Sequence, residues 1–148
     1  MARLATLAYG AVCYAFGLAA ILYAICFIGG YSPRSIDAGG PATGPLAAVV
    51  INLALLGVFA VQHSVMARPA FKAAWTTVVP KAVERSTYVL AAGAALTLLL
   101  WQWQPMAQPI LWRFESAFGI FLAWSLFWIG WGMLLISSFL INHFELFG

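Results

Sequence analysis

The residues equipped for chemistry gather in one stretch, Phe59 to Val89, FAVQHSVMARPAFKAAWTTVVPKAVERSTYV. It holds Gln62, His63, Arg68, Lys72, Lys81, Glu84, Arg85 and Tyr88, and with them four of the chain's seven basic residues, one of its four acids and one of its two histidines. His63 has three readings: an imidazole satisfied by one hydrogen bond, a substrate-pocket group that moves protons near neutral pH, or a haem or metal ligand. Glu84 and Tyr88 lie one helical turn apart and share a face, as do Lys81 and Arg85. The two cations repel, so both gain from an anionic neighbour: a lipid phosphate, a carboxylate or a cofactor. A second polar set closes the chain, with Ser137, Ser138, Asn142, His143 and Glu145. No Ser-His-Asp set, CxxC, HExxH or GxGxxG occurs. Histidines on two different spans are compatible with haem or copper, but no spacing rule selects a metal.

The elements that carry these residues follow from composition. Of 148 residues, 64% are hydrophobic and 7% charged, far below the charge of a soluble domain. Roughly 20 apolar residues cross a bilayer as a helix, and four such stretches fit, at about 4–28, 45–66, 84–103 and 114–141. The fold class is therefore all-α: one polytopic transmembrane bundle over residues 1–148. The first apolar run exceeds the core of a signal peptide, so it is read as a retained span. The net charge of +3 reads as a topology signal and not as a nucleic-acid footprint; the environment is the lipid bilayer.

Within this frame, Gly29 to Gly44 is a Gly/Pro-rich loop without phosphate-loop spacing. Asn52, Leu56, Phe59 and His63 share a face of the second span. Pro69 opens a short interfacial helix at about 69–79, which Pro80 ends; Arg68, Lys72 and Thr76 form its basic face, directed to lipid head groups. Small-residue stripes at Gly10, Cys13, Gly17 and Ala20, and at Ala91 and Ala95, predict close helix approach. Trp101 and Trp103 stand where an aromatic belt is expected, and Trp124, Trp128 and Trp131 form a stripe. Cys13 and Cys26 are about 20 Å apart on one helix, too far for a disulfide. Arg3, Arg68, Lys72, Lys81 and Arg85 outnumber Arg34 and Arg113, which places both termini and the central connection in the cytoplasm. On that topology His63, Arg85 and His143 are expected near one another.

At QHSVMARPAFKAAW, VVPKAVERSTYVL, LLLWQWQP and the closing INHFELFG, the chain resembles the membrane methanethiol S-methyltransferases. These are relatives of the NnrU proteins and, more distantly, of isoprenylcysteine carboxyl methyltransferases. The resemblance covers nearly the whole chain, with QHS and ERSTYVL its most specific parts. It implies the N-terminal membrane half of an S-adenosylmethionine-dependent methyltransferase of small thiols. The family's donor-binding part continues beyond the NHFELFG-like segment with an Arg-His-Pro run, so the isolated chain is expected not to methylate thiols. Carried onto matching positions, the resemblance marks Gln62, His63, Glu84, Arg85, Tyr88, Asn142 and His143. His63 and Arg85 are the catalytic candidates, since a thiolate needs mainly deprotonation and orientation; the other five are substrate-binding candidates. The alternative is a short accessory subunit packing into a larger membrane complex, which the small-residue and tryptophan stripes serve equally well. A haem or quinone carrier subunit is a third reading.

Overall fold

The structure is a computed structural model that describes residues 2–40, 43–106, 108, 110 and 113–140. Five helices account for its regular structure: α1 (Ala2–Ile28), α2 (Pro45–Met66), α3 (Pro69–Trp75), α4 (Lys81–Gln102) and α5 (Ala117–Leu140). Among the described residues there are no strands. α1, α2, α4 and α5 are long and apolar enough to cross a membrane, so the protein is an integral, multi-pass membrane protein with a lipid environment.

Local sequence sets the helix ends. α1 stops in a Schellman turn: Gly30 adopts φ +72, and the Tyr31 amide donates to the Cys26 carbonyl at 2.8 Å. α2 and α3 each begin with a proline at the first position after an extended residue, Gly44 and Arg68, where the missing N–H costs nothing. α3 lasts only to Trp75 and does not run to Val79. The hydroxyls of Thr76 and Thr77 donate back to the Lys72 and Ala74 carbonyls. Val79 precedes Pro80, which disfavours a helical backbone there. Pro80 then acts as the extended cap of α4, so α4 starts at Lys81, one turn ahead of Glu84. Ser116 caps α5, its Oγ accepting the Gly119 amide at 3.1 Å.

The chain divides into two compact units, Met1–Met106 and Ala107–Leu146. In the first, α4 is the hub. It runs parallel to α1: Tyr9 meets Thr87 through their hydroxyls at 3.1 Å, and Phe27 meets Trp103 edge-on at 6.5 Å. It runs antiparallel to α2, which touches it at His63–Tyr88 and Asn52–Gln104. The small-residue stripe of α1 is the buried one, with Cys13, Ala20 and Ala24 all inside. Its contact on α4 is centred on Gly93, whose Cβ position lies 3.4 Å from the Gly17 Cα and 3.0 Å from Phe16. Ala91 and Ala95 are only half-buried. Cys13 and Cys26 are both free thiols.

One end of this unit is clasped. Asn52, 3% exposed, donates to the Gln104 carbonyl at 2.8 Å and accepts the Gln104 amide at 2.9 Å. This two-way bond ends α4 much as a neighbouring strand would. The Trp103 indole donates to the Ile36 carbonyl at 2.9 Å, Arg34 Nη2 to the Trp101 carbonyl at 2.5 Å, and Thr43 to Gln104 Oε1 at 3.1 Å. Gly40 lies so close to Pro105 and the Trp103 carbonyl that no Cβ fits there. The Gly29–Gly44 loop is thus an anchored strap.

The second unit is organised on α5 around Phe127. Its ring meets Trp124, Trp128 and Trp131 edge-on, at 5.4, 5.1 and 6.3 Å.

Candidate functional site

The other end of the α2–α4 pair holds the chemistry-bearing stretch. His63 sits in the last turn of α2 and Tyr88 in the second turn of α4. The Tyr88 hydroxyl lies 3.0 Å from His63 Nδ1 and 3.3 Å from Nε2. Near-equal distances to both nitrogens put the hydroxyl over the ring face and not on the in-plane lone pair of either. The imidazole is stacked on Phe59 at 5.5 Å and tilted against the Tyr88 ring at 5.5 Å. Phe59 is one turn before His63, so the helix itself supplies one aromatic wall and α4 the other.

α3 lies beside this pair. Lys72 Nζ reaches Glu84 Oε1 at 3.9 Å, so the basic face read as a head-group contact is in part turned inward to a carboxylate. Phe71 stacks on Trp75 at 5.7 Å. Gln62 donates to the Met66 sulfur at 3.2 Å, while its Oε1 and the Trp75 Nε1 are buried without a hydrogen-bond partner. A buried acceptor and a buried donor left unpaired each cost about 1–3 kcal/mol. The stretch is thus held together less completely than the strap end.

Of the residues marked by the sequence, Gln62, His63, Glu84 and Tyr88 converge at this end, with α3 joining the two helices that carry them. Arg85 is exposed, one turn ahead of Tyr88. Asn142 and His143 lie outside the described residues. Asn52, on the same sequence face as His63, belongs to the strap end and is structural. Lys72 as the partner of Glu84, and the buried Trp75 Nε1, were not visible as site features, because no helical spacing links α3 to α4. Phe59 was, through its spacing from His63. Among the described residues no group of three or more His, Cys, Asp or Glu could hold a metal ion.

A multi-pass helical membrane protein with its polar chemistry at one end of an antiparallel pair is the class these observations define. No family model matches the sequence, and no solved structure matches it. Curated relatives do. A methanethiol S-methyltransferase of Mycobacterium tuberculosis is 53% identical over 150 residues, taking in all of this chain and 60% of the relative. One from Crocosphaera subtropica is 47% identical over 149 residues, 100% of this chain and 58% of the relative. A methanethiol S-methyltransferase 2 of Bradyrhizobium diazoefficiens is 47% identical over 148 residues, 99% and 56%. By sequence the chain is similar to methanethiol S-methyltransferases, and it spans between 56 and 60% of the length of these relatives.

Proposed function

We propose that the chain contributes the thiol-handling membrane part of an S-adenosylmethionine-dependent methyltransferase of small thiols, methanethiol among them. The observation that carries this reading is the match along the whole chain to proteins named for that reaction. The convergence of His63, Tyr88, Gln62 and Glu84 at one end supports it from the side of geometry. The same names favour an enzyme over an accessory subunit of a larger membrane complex.

In this reading His63 accepts the thiol proton. Arg85, exposed one turn ahead of Tyr88 on α4, stabilises the thiolate or holds the carboxylate of the methyl donor. Gln62, Glu84 and Tyr88 line the substrate side, and Asn142 and His143 are carried as substrate-binding residues by the resemblance alone. The thiolate is already a strong nucleophile, so the protein's task is deprotonation and orientation. Glu84, the acid suited to a ribose, is paired with Lys72 at this end. The part of the relatives outside the match is where we place the donor. The basic residues Arg3, Arg68, Lys72, Lys81 and Arg85 set this end, and both termini, on the cytoplasmic side.

The test replaces the matching segment of the Mycobacterium tuberculosis relative with this chain and supplies methyl-labelled S-adenosylmethionine and methanethiol. Labelled dimethyl sulfide is expected from the graft, and none above background from the 148-residue chain alone. A well-expressed, folded graft that forms no dimethyl sulfide refutes the reading.

A further inference from the structure

Three cations used neither by the ion pair nor by the thiol chemistry, Arg3, Arg68 and Lys81, come to one level of the fold. α1 runs parallel to α4, and the Tyr9–Thr87 contact joins them. Arg3 precedes Tyr9 by six residues, and Lys81 precedes Thr87 by six. Both therefore stand about 9 Å beyond that contact along the helix axes. α2 runs the other way and meets α4 at His63–Tyr88. Arg68, five residues past His63, follows α2 out at the same end. With 22 residues, α4 is about 33 Å long, close to the hydrocarbon core of about 30 Å. Lys81 at its start thus stands at one edge of the bilayer, and Trp103 just past its end at the other.

Charge is unbalanced at this end alone. Within residues 1–106 it holds five basic side chains, Arg3, Arg68, Lys72, Lys81 and Arg85, against one carboxylate, Glu84. The strap end holds one of each, Arg34 and Asp37. Glu84 is paired with Lys72. Arg3, Arg68, Lys81 and Arg85 are exposed, and among the described residues no carboxylate pairs with them. Arg3 and Lys81 also lie in the first turns of α1 and α4, at the positive end of each helix dipole, where a cation is disfavoured. Lys81 and Arg85 share a helical face and repel. An external anion relieves both conflicts.

We propose that this end is a docking surface for the phosphate groups of anionic phospholipids, held by Arg3, Arg68 and Lys81, with Arg85 adding to the same field. The placement of the cations selects a lipid over a soluble anion. Six residues are about 240° of rotation past the Tyr9–Thr87 contact. On two parallel helices that turns Arg3 and Lys81 away from the interface, to opposite sides of the pair. Cations at one height but on different sides do not converge on one small ion. They match a layer of phosphates surrounding the helices at the bilayer edge. Close to such a surface each Lys or Arg gains about fivefold in affinity, so the surface favours an anionic head group over a zwitterionic one. It does so whether or not the chain handles thiols.

The experiment titrates the full chain, in a neutral detergent, with phosphatidylglycerol or phosphatidylcholine and counts bound lipids by native mass spectrometry. Phosphatidylglycerol is expected to bind more tightly, by about 10-fold or more, and rising salt is expected to weaken it while leaving phosphatidylcholine unchanged. Arg68→Gln and Lys81→Gln should each lower the affinity for phosphatidylglycerol about fivefold, with no change for phosphatidylcholine. Arg113→Gln removes a cation of the second unit and should change neither. Equal affinity of the parent chain for the two lipids overturns the proposal. So does a phosphatidylglycerol affinity that survives both Arg68→Gln and Lys81→Gln, or one that falls as far in Arg113→Gln, since net charge alone would then explain it. Glycerol 3-phosphate bound as tightly as the lipid overturns it too, because the chain would then recognise a free phosphate and not a membrane surface.

Discussion

The two ends of the α2–α4 pair both carry polar side chains and put them to opposite uses. At the strap end the polar side chains are matched to backbone: Asn52 to both groups of Gln104, Trp103 to Ile36 and Arg34 to Trp101. Thr43 with Gln104 Oε1 is a side-chain pair, and Arg34 Nε is buried without a partner. At the connection end the pairs are between side chains, His63 with Tyr88 and Lys72 with Glu84, and the members are partly open to the surroundings. Backbone groups cannot move aside, so an amide bonded to them fixes geometry. Two side chains bonded to each other can exchange protons and partners. Polarity alone therefore does not mark a site; what the polar group is bonded to does.

The comparison can be broken by stability measurements in detergent, taken on the full chain. The largest effect is expected at the crossing on which both ends depend. Gly93→Leu forces a side chain into the Gly17–Phe16 contact and should cost about 3 kcal/mol or prevent folding. Asn52→Ala strands the buried amide and carbonyl of Gln104. It should cost about 2 kcal/mol, less than a fully buried pair in a soluble protein because the chain in lipid finds other partners. Trp103→Phe removes one bond to Ile36 and should cost about 1 kcal/mol. At the other end, a double-mutant cycle on Lys72→Met and Glu84→Gln should return a coupling below about 1 kcal/mol, as for a long, partly exposed ion pair. If the Lys72–Glu84 cycle exceeds the loss at Asn52, the division between a structural end and a chemical end fails.

Much of the fold was legible in the sequence because lipid imposes it. A span must be long and apolar, and four such stretches stand out from a chain with so little charge. The breakers did the rest: Pro45, Pro69 and Pro80 each open a helix where their missing donor is harmless. The candidate site was legible only as a stretch of residues. Spacing gave the shared faces of Phe59 with His63 and of Glu84 with Tyr88, since both pairs lie on one helix. It could not give His63 with Tyr88 or Lys72 with Glu84, since these cross between helices and depend on how far α3 runs. Asn52 shows the same limit from the other side. Its helical face is that of His63, yet its distance along the axis puts it at the opposite end, where the return of the chain after Trp103 supplies its partner. Helical periodicity reports rotation about an axis and says nothing of which neighbour lies at that height.

The division between the two ends is tested most directly by rate, with one variant from each. In the graft carrying this chain, dimethyl sulfide formation is measured for His63→Gln and Trp103→Phe well below the unfolding temperature of both. The account predicts a loss of about 100-fold for His63→Gln, typical of a missing acid–base group, with Trp103→Phe near the parent rate. Equal losses in the two variants, or a His63→Gln graft as fast as its parent, would contradict it.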